Sequence, residues 1–578
     1  MNKVTITIDN QQIQVSENST VLEVARELGI DIPTLCYLKD MNEVAACRIC
    51  IVEVEGMATL PTACVLNVWD GMVVKTNTKK VREARKGTLE LLLSNHDREC
   101  LTCMRNGNCE LQTLSDELGI SDIGFEGEKT NKPIDLSSPS IVRDVNKCIL
   151  CGRCVSVCND IQTVGVLSFR DRGFETTVGT AFEKDIIDVS CIKCGQCIAV
   201  CPVAALREKT DIDYVWDALE DETKHLVVQT APAVRVALGE EFDLEMGTSV
   251  TGRMVASLKR LGFDKVFDTD FGADLTIMEE GYELLSRLEN GGTLPMITSC
   301  SPGWIKFCEH YYPDFLDNLS TCKSPHQMMG AVVKSYYAQK NNIDPKDIVM
   351  VSIMPCIAKK FEAGREELSV NNLQDVDHVL TTRELAKMIK ESRIDFVNLP
   401  DEDFDEVLGE STGAGVIFGA TGGVMEAALR TVAEVVTGDK LEKIEFDQVR
   451  GTQGIKEAVI ELGDKTIKIA VVHGTGNARK LLEMIKAGEK KYHFIEVMGC
   501  PGGCVTGGGQ PHLSAKDRMT KNVMAERAKG LYNEDTAKTI RKSHENPMIK
   551  KIYEEFLGKP NGHKSHELLH THYINRGE

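Results

Sequence analysis

From about residue 210 onward the chain alternates short apolar runs with amphipathic stretches, a pattern of strands and helices taken in turn. HLVVQTAPAV, DIVMVSIMPC, GAGVIFGA and IKIAVVHGTG (225–234, 347–356, 413–420 and 467–476) are short and almost wholly apolar, so they read as buried strands. Gly252–Leu261 and Thr382–Glu391 carry the 3.6-residue period of helices. Strands separated by helices predict an α/β region with largely parallel sheets over 210–578. The first 78 residues read differently. MNKVTITIDNQQIQV alternates residue by residue like a strand, and short strands surround one helix, Thr20–Leu28. Residues 79–125 read as polar helices interrupted around 100–109, and a loop rich in Pro and Ser (Lys132–Ser140) opens the segment 126–209. Four domains follow, 1–78, 79–125, 126–209 and 210–578, in a multidomain α+β and α/β chain.

Composition changes this picture in one respect. A hydrophobic fraction of 42% and a charged fraction of 27% are ordinary for globular protein, and a net charge of −20 argues against nucleic acid or an anionic membrane as partner. No apolar secretory core or membrane-length run is present, which predicts a cytoplasmic location. In that compartment the 21 cysteines read as metal ligands or catalytic groups, not disulfides.

Their spacing supports this. Cys148, Cys151, Cys154 and Cys158, then Cys191, Cys194, Cys197 and Cys201, repeat the two-cluster ferredoxin register, with Pro202 after the last. In that register the fourth cysteine of each run reaches the other cluster. Cys148, Cys151, Cys154 and Cys201 would therefore hold one [4Fe–4S] cluster, and Cys191, Cys194, Cys197 and Cys158 the second. Zinc also uses CxxC pairs, but eight cysteines in this register point to iron. Upstream, Cys36, Cys47, Cys50 and Cys64 give a lone cysteine, a close pair and a distant fourth, read as a [2Fe–2S] site despite a longer first gap than the plant-type pattern. His96, Cys100, Cys103 and Cys109 could hold zinc or iron; beside three other clusters, a third accessory [4Fe–4S] cluster is favoured.

Four clusters in a row describe an electron conduit, so the reaction belongs to the α/β region. Three of its segments place cysteines beside Gly or Pro turns at strand ends, where open α/β folds bind ligands. They are Thr298–Trp304 (TSCSPGW), Met354–Glu362 (MPCIAKKFE) and Glu496–Cys504 (EVMGCPGGC), the last followed by Gly507–Gly509. These segments resemble the signature motifs of the iron-only ([FeFe]) hydrogenases, and the cluster motifs before them resemble that family's accessory domains. The resemblance covers essentially the whole chain. It implies ferredoxin-like iron–sulfur domains followed by a large α/β H-cluster domain, the H-cluster being a cubane joined to a two-iron unit with CO, CN⁻ and a dithiolate bridge. It further implies Cys356, Cys500 and Cys504 as cubane ligands, Cys504 bridging to the two-iron unit, Lys359 bonding a cyanide, and Met354 and Met498 packing around that unit. Glu280, Glu283, Ser320 and Glu362 match the family's proton path. One departure stands out: the family's paired cysteines are here Cys300 and Ser301. Either Ser301 takes the cubane corner while Cys300 keeps the proton relay, the expectation adopted here, or Cys300 becomes the ligand.

Cys308 and Cys322 are left over and read as buried, inert thiols. His566, His570 and His572 read as a solvated C-terminal end from Gly558. The GATGG of Gly419–Gly423 is too weak a signal for a nucleotide site. Electrons would therefore pass to ferredoxin or to an NAD(P)H-oxidising partner subunit. An NADH dehydrogenase subunit, a cluster-assembly factor and a hydrogenase-like sensor are the competing readings. The three downstream motifs disfavour the first, the accessory cluster modules the second, and the lack of a signalling domain the third.

Overall fold

The N-terminal alternation forms a hairpin, with Lys3–Ile8 pairing antiparallel to Gln11–Ser16. It turns on Asp9 and Asn10, both at positive φ, as a two-residue hairpin turn of the strand-matching type requires. Glu53–Val54 and Val73–Lys75 complete a four-stranded sheet. Helix Val21–Glu27 packs on it and is closed by a reciprocal capping box between Thr20 and Glu23. Described here, in a computed structural model, are residues 2–370, 372–406, 408–441, 443–463 and 465–577.

The polar stretch folds as helices Lys79–Asn95 and Glu110–Glu117, with one tight turn, Cys100–Thr102, between them. The cysteine repeat is repeated in backbone geometry. Leu150 and Lys193, at equivalent positions, both have positive φ, and Gly152 and Gly195 after the next cysteine do the same. Each pair then opens a short helix, Arg153–Ser156 and Gln196–Val200.

The α/β region holds two four-stranded sheets. In one, Lys265–Asp268, His225–Thr230, Ile348–Met354 and His378–Thr381 lie side by side, all parallel. In the other, Met296–Ile297, Phe494–Met498 and Lys465–His473 run parallel, and Ile455–Leu462 closes the edge antiparallel. Helix Thr269–Asn290 packs against Pro325–Val332 and Gly423–Thr437 and is buried for most of its length. Acids on such a helix need partners. Asp270 pairs with Arg235 at 3.1 Å, and Asp274 accepts from Thr412, Ser543 and Asn546. Glu280 is the exception, and its significance belongs to the site.

Two expectations fail. Residues 413–420 are not a strand but two helical turns, Gly413–Val416 and Ile417–Gly419. An apolar run this short does not by its periodicity separate strand from buried helix. Here the glycines decide: a Cβ on Gly415 would lie 2.6 Å from the Asp270 carbonyl, so only a bare backbone fits against the central helix. The C-terminal end is not a solvated tail either. His563–Leu569 is a helix whose Leu568 and Leu569 are buried, and it carries His570 into the interior, leaving His566 and His572 exposed. Cys308 and Cys322 are both fully buried. No described helix is long and apolar enough to cross a membrane.

Candidate metal centres and active site

Three of the four accessory cysteine groups each close on a common centre. Cys36 contacts Cys47, Cys50 contacts Cys64, and the charges of all four act on one another. Cys148, Cys151, Cys154 and Cys201 line one small cavity. Cys158 instead faces Cys191, Cys194 and Cys197. Burial, and then the neighbouring sulfurs, push the Cys148 and Cys194 thiols up to about 12 and raise Cys154 and Cys197 well above the ordinary thiol value. Buried sulfurs that repel one another as thiolates need a cation to ionise, which is what an iron cluster supplies. At the fourth site His96 is 8% exposed, and among the described residues its buried Nδ1 has no hydrogen-bond partner. Burial, aided by Lys147, lowers its pKa to about 4, so the ring is the neutral form that ligates metals. Cys103 and Cys109 lie near one another beside Arg105 and Lys147, and Cys103 N–H donates to the Cys100 carbonyl at 3.1 Å.

The three signature segments meet in one cavity at the C-terminal ends of strands from both sheets. Cys300, Ser301, Met354, Cys356, Lys359, Met498, Cys500 and Cys504 all line it, with Pro232, His326 and Phe418. Parallel strands present their C-terminal ends as the ligand-binding edge of open α/β folds. Cys500 faces Cys356 and Cys504, and also Cys194 of the adjoining accessory group. Burial and then Cys356 raise Cys504 to about 12. This donor set, soft sulfur in a dry pocket, fits a cubane.

Cys300 and Ser301 diverge. The Cys300 thiol faces Glu280, Cys504 and Lys359, and burial first, then Glu280, pushes its pKa well up. The Ser301 Oγ accepts the Gly499 N–H at 3.0 Å, at the turn leading to Cys500. Lys359 donates to Glu362 at 2.6 Å, to Ser324 at 2.8 Å and to the Cys300 carbonyl at 3.3 Å. His326 Nε2 lies 2.5 Å from the same Glu362 carboxylate. Burial would raise Glu362, but Lys359 and then His326 outweigh it and hold the carboxyl at about 2.

Glu283 accepts from Arg287 at 2.7 Å and from Ser320 at 2.8 Å, and Ser320 also lies beside Glu280. Glu280 is 1% exposed, and among the described residues neither of its oxygens has a hydrogen-bond partner. Burial, and then the Glu283 charge, raise it to about 8. The structure thus brings Cys300, Glu280, Ser320 and Glu283 into sequence but leaves Glu362 apart, tied to Lys359 and His326. Sequence reasoning missed His326 and Ser324. A single histidine has no spacing signal, and only the fold joins position 326 to 362.

Sulfur-lined accessory sites leading to a buried sulfur-lined cavity with an acid chain behind it define an iron–sulfur oxidoreductase that moves protons as well as electrons. The family models agree: "Iron only hydrogenase large subunit, C-terminal domain" matches residues 224–508 and "Iron hydrogenase small subunit" matches 521–576. Ahead of them, a 2Fe-2S iron-sulfur cluster binding domain matches 1–79, the NADH-ubiquinone oxidoreductase-G iron-sulfur binding region 85–123, and a 4Fe-4S dicluster domain 147–205. The chain is 53% identical to the NADP-reducing hydrogenase subunit HndD of Solidesulfovibrio fructosivorans, covering 100% of both chains. It is 46% identical to iron hydrogenase 1 of Clostridium pasteurianum over 98% of this chain and 99% of that one. A solved [FeFe]-hydrogenase HydA1 variant from Chlamydomonas reinhardtii superposes with a TM-score of 0.57 at 46% identity, covering 63% of this chain and 100% of that chain. The chain belongs to the iron-only [FeFe] hydrogenase family. It interconverts protons and H2 reversibly at an H-cluster, with electrons relayed through iron–sulfur clusters.

Proposed function

We propose that the four accessory sites carry one [2Fe–2S] and three [4Fe–4S] clusters in the domains 1–78, 79–125 and 126–209, and that 210–578 holds the H-cluster. Cys36, Cys47, Cys50 and Cys64 hold the first, and His96, Cys100, Cys103 and Cys109 the second. The crossed sets, Cys148, Cys151, Cys154, Cys201 and Cys191, Cys194, Cys197, Cys158, hold the third and fourth. The observation that supports this reading is the convergence of the first, third and fourth sets on their own centres, together with the buried Nδ1 of His96, which has no hydrogen-bond partner among the described residues.

In the catalytic cavity Cys356, Cys500 and Cys504 take three cubane corners and Ser301 stands at the fourth. The H-cluster, when bound, supplies the redox chemistry of H2. The protein supplies the rest. Met354, Met498 and Phe418 exclude water, and the Lys359 ammonium, held by Glu362 and Ser324, points a positive charge at the anionic ligand sphere. The Cys300 thiol stays protonated and delivers its proton inward. Glu280 replenishes it from Ser320 and Glu283, and a Glu280 pKa near 8 keeps that carboxyl a proton donor at neutral pH.

The electron partner is an NAD(P)H-oxidising subunit of a cytoplasmic complex, with ferredoxin as the alternative carrier. The full-length likeness to an NADP-reducing hydrogenase subunit supports this. The nucleotide has no place at Gly419–Gly423, because the Glu496 carboxylate accepts the N–H groups of Gly422 at 2.6 Å and Met425 at 2.8 Å and so occupies that helix N-terminus. Purification from the native host tests this: a stoichiometric flavin- or nucleotide-binding subunit is expected, and a lone chain reduced only by ferredoxin would reverse the assignment.

A further inference from the structure

Iron ligation of the plant type takes a much shorter first gap than the one between Cys36 and Cys47. The fold gives the extra residues a place. Leu38 and Asn42 exchange backbone N–H···O bonds of 3.0 and 2.8 Å across a turn at Asp40, whose φ is 58°. The turn packs Leu38 and Met41 into the apolar core around the cysteine repeat. It also carries Asn42, only 2% exposed, to the seam between the N-terminal domain and that repeat.

At the seam one NH2 group serves two ligand residues. Asn42 Nδ2 donates to the Cys36 carbonyl at 2.7 Å and to the Cys151 carbonyl at 3.0 Å. Ser156 Oγ donates to Asn42 Oδ1 at 2.8 Å and fixes the amide's orientation, since the reverse would set its oxygen against two carbonyl oxygens. An unbroken chain of bonds thus joins two buried sulfurs: the Cys36 side chain and carbonyl, the Asn42 nitrogen, then the Cys151 carbonyl and side chain. Electron tunnelling decays slowly along covalent bonds, faster across hydrogen bonds and fastest across van der Waals gaps. Arg153 Nε also meets the Cys36 carbonyl, at 3.4 Å, but that route continues through a whole arginine side chain before it reaches Cys154.

We propose that Asn42 is the electronic bridge between the [2Fe–2S] site and the adjoining [4Fe–4S] site, the contact through which electrons leave the N-terminal domain toward the H-cluster. The proposal rests on the reading of Cys36 and Cys151 as ligands of those two clusters. Asn42 acts through the two cysteines and not on the reacting atoms. Each transfer oxidises one site by one electron and reduces the other by one. No covalent bond forms or breaks, and the amide keeps both protons.

The test uses the holoenzyme with a ruthenium photosensitiser tethered at Val65→Cys, an exposed position beside Cys64, and a sacrificial amine as electron source. A flash delivers one electron to the N-terminal site, and freeze-quench EPR follows its arrival at the cubane. Asn42→Leu keeps the bulk of the side chain but donates nothing, and it should slow this transfer several-fold. The pulsed-EPR distance between the two reduced clusters should stay the same. Leu38, Met41 and the bidentate Arg153–Glu110 pair, at 2.7 and 2.9 Å, still hold the seam in that variant. Ser156→Ala, which frees the amide to turn, is the milder variant should Asn42→Leu fail to fold, and it should slow the transfer to a lesser degree. An unchanged rate in the folded variant, or a slowing fully explained by a longer distance between clusters, would overturn the proposal. The enzyme carrying the label alone separates this from the ligand reading. Absence of a [2Fe–2S] signal there removes the assignment of Cys36, whereas normal signals with an unchanged rate in Asn42→Leu remove only the bridge.

Discussion

At Cys300 and Ser301 two adjacent side chains carry opposite demands. Iron favours soft sulfur, which would recruit Cys300, yet its thiol faces Glu280 and Lys359 while Ser301 faces the turn before Cys500. Cys300→Ala should therefore yield a fully assembled H-cluster, with normal infrared bands and H2 turnover down by about 10²–10⁴-fold. Failure of the cubane to assemble would make Cys300 the ligand. Lys359 gives a second prediction. Lys359→Asn removes one of two partners of the buried Glu362 carboxylate, so folded stability should fall by about 3–5 kcal/mol and the two-iron unit should not be retained. Denaturant melts and infrared spectra measure the two effects separately, and intact CO and CN⁻ bands would refute the cyanide contact. Cysteine positions were legible in the sequence because ligand spacing is local. His326 was not, because its meaning comes from a carboxylate 36 residues away that only the fold brings near.

Helices and strands were legible where period and caps agreed, as in Thr382–Glu391, which opens with a capping box at Thr381. They were illegible where packing overrode pattern, as in the Gly413–Ala420 run, whose Gly415 serves contact with the central helix. A buried ion pair joins the segment after the cysteine repeat to the α/β region. Glu208, ending the strand Leu206–Glu208, holds Arg383 of helix Thr382–Glu391 through two bonds of 2.9 Å, and Arg383 also donates to the Gly508 carbonyl. Burial would raise the Glu208 carboxyl, but Arg383 outweighs it and holds it at about 2, against 4.5 when unfolded. A depressed acid stabilises the fold above its unfolded pKa, so this contribution is full above pH 4.5 and is lost as pH falls toward 2. Arg383→Met should destabilise the protein by about 3–5 kcal/mol at neutral pH, and the deficit should narrow on acidification as the stranded carboxylate gains a proton. Thermal melts across that pH range provide the check; a deficit that widened toward acid would contradict the pairing.

Across the whole molecule the order of cluster sites could be read from one end of the sequence to the other, because each site is contained in a short segment. The return of the C-terminal helix to the central helix could not, since its apolar signal is only Leu568 and Leu569. The proposed clusters imply about 20 iron atoms per chain. His96→Ala should lower this by about four, remove one cubane signal from paramagnetic spectra and slow partner-linked turnover more than turnover with an artificial reductant. Equal slowing with both donors would remove this cluster from the conduit. Where the last accessory site meets the active site, the chain uses glycine on both sides: a Cβ on Gly508 would stand 2.6 Å from the Cys194 carbonyl, and one on Gly195 would strike Ile357, beside Cys356. Backbone pressed on backbone leaves no hinge at this seam. The final electron hop thus crosses a fixed gap and waits for no domain motion, so its rate should be indifferent to solvent viscosity, and thickening the medium with glycerol should slow only the encounter with the outside partner.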